Sequence, residues 1–327
     1  MDVQPANEAA LQSVNEILSR ARAEVAKVII GQQRVVDFCL IAVFTGNHIL
    51  IEGVPGVAKT LLVRTLAKVL GADFSRIQFT PDLMPSDITG TSVFNLQEGA
   101  FHLVKGPIFT SFLLADEINR APAKTHAALL EIMQEYRVTI DGVSHPVPTP
   151  FLVLATQNPL ESEGTYNLPE AQLDRFMFKL FIDYPTAEEE AEILKMHSKQ
   201  IDLGHRLEKE IRVVTGPDKV REMIKRCGEV LIADPLVDYI NRIVRSTRGW
   251  PAFHLGASPR AGIALMQAAR TQAAFAGRDF AVPDDVVRVA LPALRHRVQL
   301  TAEAEVEGRQ SDDELRSMIE GIDVPRD

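Results

Sequence analysis

Gly53-Val-Pro-Gly-Val-Ala-Lys-Thr60 follows the short apolar run His48-Ile-Leu-Ile-Glu52 and precedes a helical pattern over 60–70. A strand, a glycine-rich turn and a helix in that order let backbone N–H groups at a helix N-terminus wrap an anion. Lys59 would neutralise charge on the outer phosphates, and the Thr60 hydroxyl suits Mg2+. The strict phosphate-loop pattern has glycine immediately before the lysine, and Ala58 stands there instead. A methyl group is tolerable if Ala58 takes a helical φ, since only a left-handed conformation demands glycine. The competing reading is a Gly/Pro turn that closes a strand beside an incidental surface lysine.

A second stretch sharpens the choice. Residues 108–115 are densely apolar and run into Asp116-Glu117, as a central strand of a parallel sheet does. Ligands of such sheets sit at the carboxyl ends of the strands, so the loop and the acid pair point to one edge. Asp116 would bind Mg2+, directly or through water, and Glu117 would polarise the attacking water. The alternative is that both acids merely cap the helix beginning near Pro122. Leu154-Ala-Thr-Gln-Asn158 ends another strand in polar residues, and Asn158 or Gln157 there would reach the γ-phosphate or the lytic water. Asn158-Pro159 is equally a common turn pair. Arg175, in Asp174-Arg175-Phe176, reads as an arginine finger for a neighbour's γ-phosphate, or as a salt bridge to Asp174 or Glu170. In Ser258-Pro-Arg260, Arg260 would report nucleotide state to the lid; the competing reading is a solvated helix-start arginine, which the helix dipole slightly disfavours, a reason to look for an anion nearby.

Outward from these motifs, apolar residues recur with helical period over 8–27 and 32–44. Strands are expected at 48–52, 74–79, 108–115, 151–156 and 176–182, and helices at 59–70 and 122–135. Alternation of this kind predicts an α/β domain, residues 1–185, with a parallel sheet covered on both faces. From 187 to 297 only helical patterns are expected, at 187–198, 217–228, 235–248, 259–277 and 283–296. Several open with proline and two close with glycine. A smaller all-helical domain over 186–305 follows, then an acidic, loose tail over 306–327 in which Ser311 would cap a short helix.

Composition narrows the classes. The chain has 327 residues, 46% hydrophobic and 24% charged, with a mean hydropathy of +0.01. These values exclude a disordered, collagen-like or multi-span membrane protein. With 35 Lys+Arg against 44 Asp+Glu, the charge of −9 repels nucleic acid and anionic membranes at long range. Two cysteines, Cys39 and Cys227, are too few for a disulfide framework or a zinc site, and read as buried thiols of a reducing compartment. Residues 1–10 lack the pattern of a signal peptide, so a cytoplasmic protein is expected.

Together these motifs resemble the MoxR family of AAA+ ATPases. The resemblance rests on Ile30-Gly-Gln32, Gly53 to Thr60, Leu113-Leu-Ala-Asp-Glu-Ile-Asn-Arg-Ala-Pro122, Ala155-Thr-Gln-Asn-Pro159, Leu173-Asp-Arg-Phe176 and Ser258-Pro-Arg260. They occur in order and cover residues 10–300. The resemblance implies a P-loop AAA+ core followed by a helical lid, with ATP and Mg2+ as cofactors. Gly31 would lie near adenine. Gly53, Val54, Pro55, Gly56, Val57, Ala58, Lys59, Thr60 and Leu61 would form the loop that holds the nucleotide, 56–61 on its phosphates. Thr60 and Asp116 would hold the metal, with Asp116 and Glu117 as Walker B. Asn158 would be sensor 1, Arg175 the arginine finger, Arg260 sensor 2 and Arg120 a further trans-acting arginine. Hexameric rings are usual in such ATPases.

Two further segments fit this subgroup. Residues 91–105 turn at Glu98-Gly99 and residues 138–148 at Asp141-Gly142, both signals of a hairpin. In relatives these hairpins face the ring pore, and those that move nucleic acid carry Lys or Arg at the tips. Neither Gln97-Glu-Gly-Ala100 nor Asp141-Gly-Val-Ser-His145 does, so nucleic acid is an unlikely partner. The expected function is a chaperone-like remodeller that assembles or activates partner proteins, in this family often with a von Willebrand A-domain partner. Alternatives are a nucleic-acid-stimulated motor, a non-hydrolysing scaffold and a magnesium-chelatase-type subunit.

Overall fold

A computed structural model describes residues 8–54, 56–158, 168–198 and 203–325. Two helices, α1 (Glu8–Val25) and α2 (Gln33–Thr45), lead into β1 (Ile49–Gly53), α3 (Lys59–Val69) and β2 (Phe74–Gln78). The short helix α4 (Pro85–Thr89) precedes a ribbon of β3 (Gly90–Asn95) and β4 (Ala100–Lys105), and β5 (Phe112–Asp116) returns to the sheet. A 3-10 turn (Ile118–Arg120) joins β5 to α5 (Ala123–Glu135), which is followed by β6 (Arg137–Ile140), β7 (Val143–Pro146) and β8 (Leu152–Gln157). Then come α6 (Glu170–Leu173), β9 (Phe178–Ile182), α7 (Ala187–Ser198) and α8 (Leu203–Glu210). The chain continues through α9 (Pro217–Gly228), α10 (Asp234–Thr247), β10 (Phe253–Leu255), α11 (Pro259–Phe275), α12 (Pro283–Leu294), β11 (Gln299–Leu300), α13 (Ala302–Val306) and α14 (Ser311–Glu320), the C-terminal helical region called the lid below.

Five strands form one sheet in the order β2-β5-β8-β1-β9, and every pair is parallel. Alternate side chains serve opposite faces, as the strand period of two requires. Ile49, Ile51, Phe112, Leu114, Leu152 and Leu154 pack with α1–α3 and the lid helices. Leu50, Leu113, Ala115, Val153 and Ala155 pack with α5 on the other side. Both faces are therefore dry, which is why β5 reads as an unbroken apolar run. Parallel pairing brings the carboxyl ends of β1, β5 and β8 to one edge, as expected from the motifs.

Both hairpins form where the sequence predicts them, with β3 antiparallel to β4 and β6 to β7. Asp141 and Gly142 both take positive φ, 50° and 80°, the conformation a two-residue hairpin turn requires. The first ribbon projects, and Leu96 is 88% exposed at its tip.

Two expectations about the C-terminal half fail. Within 187–297 only helices are expected, yet β10 forms a small antiparallel sheet with β11. The short helix expected within 306–327 forms as α14, but the stretch is not loose: Leu315, Met318 and Ile319 are buried against the lid. Gln310, rather than Ser311, occupies the cap position. Among the described residues no helix is long and apolar enough to cross a membrane. Both cysteines are free and buried, and burial pushes each thiol up to about 12.

Candidate active site

The loop after β1 and the first turn of α3 wall one side of a cavity of about 780 Å3, a size typical of ligand clefts. Gly56, Val57, Ala58, Lys59, Thr60 and Leu61 face it from this side, and Asp116, Glu117 and Asn158 from the ends of β5 and β8. The sequence-predicted loop, acid pair and sensor thus meet in one place. Ile29, Ile30 and Gln32 and, from the far side, Tyr184, Ile193 and Leu194 complete a largely apolar end.

Ala58 has φ 57° and ψ 27°. This is the left-handed region that the sequence reading reserved for glycine, so the methyl is tolerated in a strained conformation and not through a helical φ. The turn needs this geometry to point successive N–H groups inward. Lys59 Nζ donates to the Gly53 carbonyl at 2.7 Å. Burial lowers the lysine pKa, while the nearby carboxylates of Asp116, Glu117 and Glu52 oppose that shift.

The acids are fixed by neighbours from β2, β8 and the 3-10 turn. Thr156 Oγ1 donates to Asp116 Oδ1 at 2.5 Å and accepts from the Glu117 N–H at 2.8 Å. Asp116 Oδ2 accepts from Arg76 at 2.7 and 3.1 Å. Glu117 sits at φ 55°, and its Oε2 accepts from Gln78 Nε2 at 2.7 Å and pairs with Arg120 at 3.2 Å. Arg76 and Gln78 went unnoticed in the sequence; their signal is that β2, beside the acid-bearing strand, alternates polar residues toward its carboxyl end. Thr60 and Asp116 face the same cavity. No group of three or more His, Cys, Asp or Glu suited to a metal occurs among the described residues. One hydroxyl and one carboxylate suit Mg2+, which keeps its waters and leans on substrate phosphates.

Several expected site residues lie elsewhere. Gly31, at φ 67°, lines a neighbouring cavity, while its flanking Ile30 and Gln32 face the main one. A Cβ at Gly31 would clash with the Glu189 carboxylate, so the glycine permits a close approach to α7. Gly53 and Val54 are not among the lining residues. Gly53 is needed where a Cβ would meet the Ile182 carbonyl at 2.6 Å. Pro55 and Pro159 lie outside the described residues.

Arg175 and Arg260 do not line the main cavity either. They line a second one of about 310 Å3, together with His48, Gln134, Tyr136 and Arg297. Arg175 makes no salt bridge to Asp174 or Glu170; its Nη1 donates to the Leu130 carbonyl at 2.6 Å. Asp174 pairs with Arg297 at 2.7 Å.

Comparison with known proteins agrees with this layout. Residues 48–178 match the family described as "ATPase family associated with various cellular activities (AAA)", and residues 245–318 match "AAA lid domain". Chaperone MoxR1 of Mycobacterium tuberculosis is 43% identical over 94% of this chain and 82% of its own length. The chain belongs to the MoxR family of AAA+ ATPases. Protein MoxR of Methylorubrum extorquens is 29% identical over 97% of the chain and 98% of its own. A crystal structure from Cytophaga hutchinsonii superposes with a TM-score of 0.90 at 41% identity, covering 98% of both chains. A MoxR-family ATPase thus has its AAA core in the parallel sheet and its lid in the helices that follow.

Proposed function

We propose that this ATPase is a chaperone-like remodeller that works as a homo-oligomeric ring, by expectation a hexamer, and couples Mg2+-dependent ATP hydrolysis to the assembly or activation of a client protein. The observation that carries the catalytic part is the convergence of Lys59, Thr60, Asp116, Glu117 and Asn158 on one cavity. Lys59 and the N–H groups of 56–61 bind the phosphates. Thr60 and Asp116 would hold Mg2+, which would supply charge neutralisation to the phosphates. Glu117 orients and polarises the attacking water, and Asn158 holds the γ-phosphate or that water in line.

The separate cavity of Arg175 and Arg260 supports the ring. In this reading, two arginines that share a cleft away from their own phosphate loop serve a neighbouring copy's triphosphate. Arg120, paired with Glu117, belongs to the same rim in this reading. The name of Chaperone MoxR1 supports a protein client, and a von Willebrand A-domain partner fits the family. Buried free thiols suit the cytoplasm.

Retention of a client tests this reading. Glu117→Gln with ATP is expected to hold a protein partner that the wild type releases on turnover; equal retention with and without ATP contradicts it. Nucleic acid is the competing activator. ATP turnover is expected to change less than twofold on adding single- or double-stranded DNA, because the hairpin tips carry no Lys or Arg.

A further inference from the structure

Arg297 lies between α12 and β11, and only 3% of its side chain is exposed. Its Nε donates to Asp174 Oδ1 at 2.7 Å. Nη2 donates to the carbonyls of Asp174 and Phe176 at 3.0 and 2.7 Å. Nη1 donates to the Met177 carbonyl at 3.1 Å and to that of Ala293. All five N–H groups of this guanidinium are used, and three of them fix the carbonyls of Asp174, Phe176 and Met177, two immediately flanking Arg175 and one a residue further on. Asp174 Oδ2 accepts from Ser258 Oγ at 2.8 Å. Ser258 caps α11 and accepts from the Arg260 N–H at 3.1 Å. One carboxylate therefore ties the bend that carries Arg175 to the helix start that carries Arg260, and the two arginines line one cavity.

We infer that Asp174, through Arg297 and Ser258, is the positioning residue of this arginine pair, fixing Arg175 and Arg260 for use by a neighbouring copy. The inference rests on the reading that this cavity serves a neighbour's nucleotide. A buried ion pair is poor value for stability alone, since well-packed apolar side chains of like volume serve as well. What the pair contributes is geometry: bidentate and carbonyl-directed bonds that set the orientation of the 174–177 bend. A displacement of about 1 Å in such a group costs on the order of a hundredfold in rate. The defect belongs to the donor subunit and leaves that subunit's own nucleotide cavity intact.

Subunit mixing separates this from a general loss of structure. Lys59→Ala lacks nucleotide binding but donates intact arginines; Arg175→Ala is the reverse. Asp174→Asn alone is expected to lose about tenfold or more of ATP turnover, with affinity for a fluorescent ATP analogue unchanged within about twofold. Mixed with Lys59→Ala, it should regain turnover, as Arg175→Ala does. Ser258→Ala removes one hydrogen bond and leaves the ion pair, so it carries the test if Asp174→Asn does not fold; a smaller loss with the same recovery is expected. Normal turnover of the folded variants, or loss that Lys59→Ala fails to rescue while it rescues Arg175→Ala, overturns the inference alone. Failure to rescue Arg175→Ala itself overturns the shared-site reading and this inference with it.

Discussion

Ala58 holds a methyl group in left-handed backbone, where L-residues pay about 1–2 kcal/mol. Ala58→Gly is therefore expected to be neutral or to stabilise by up to about 1 kcal/mol after the added unfolded-state entropy. The same change inside a helix costs about 1 kcal/mol, so the sign measured by urea denaturation reports the conformation of the loop. His48 is a second residue-scale test. It is buried, with Nδ1 accepting from the Val153 N–H and Nε2 directed at the Met133 carbonyl, each at 3.0 Å. Burial lowers its pKa to about 4 from 6.5. The unfolded chain takes up this proton below about pH 6.5 and the folded one does not until about pH 4. Stability is thus complete above 6.5 and falls as pH drops through that window, by roughly 3 kcal/mol for this group. Burial acts in the same direction on His126 and His296. Urea midpoints at pH 7.5 and pH 5 check the trend, and equal midpoints contradict it. Residues whose chemistry fixes their type, Lys59, Thr60, Asp116 and Glu117, are legible in the sequence. Arg76, Gln78 and Thr156 are not, because they act only through the strand order that places β2 and β8 on either side of β5.

At the scale of elements, periodicity carries far where an element is long or its turn is specific. The helices of the lid repeat apolar residues over several turns, and Asp141-Gly142 dictates its hairpin. β10 has three residues and β11 two, too few for alternation to register. They pair only because α11 and α12 bring their ends together. The short helix expected at Ser311 forms as α14, but its docking is masked by the acidic first turn, Asp312, Asp313 and Glu314, whose charge reads as solvated tail but favours a helix N-terminus. Arg295 pairs with Asp312 at 2.5 Å, and Trp250 Nε1 donates to Glu314 at 2.7 Å. Leu315 is fully buried, so Leu315→Ala is expected to destabilise by about 3 kcal/mol. A change under about 0.5 kcal/mol in the urea midpoint analysis would mean that α14 is not docked.

At the scale of the molecule, one apolar cluster runs from the sheet through α1–α3 into the lid helices. α2 is its centre: Phe38 through Phe44 are all buried, as in a helix packed on every side. Core and lid are therefore expected to unfold together. Trp250 is the one tryptophan and lies in the lid, so its fluorescence follows the lid while far-ultraviolet circular dichroism follows the whole chain. Coincident transitions are expected, and separated ones contradict a shared core. The two-part architecture is legible from the change in pattern after Tyr184-Pro185. The placement of both arginines in a cavity of their own is not, because it depends on how the lid folds back on β9.

The most direct test of the account is a pair of measurements on Glu117→Gln: equilibrium binding of ATP and steady-state phosphate release. Binding comparable to wild type with turnover reduced at least about a hundredfold is predicted, since the carboxylate acts on the water and not on the nucleotide. Phosphate release at the wild-type rate would contradict it.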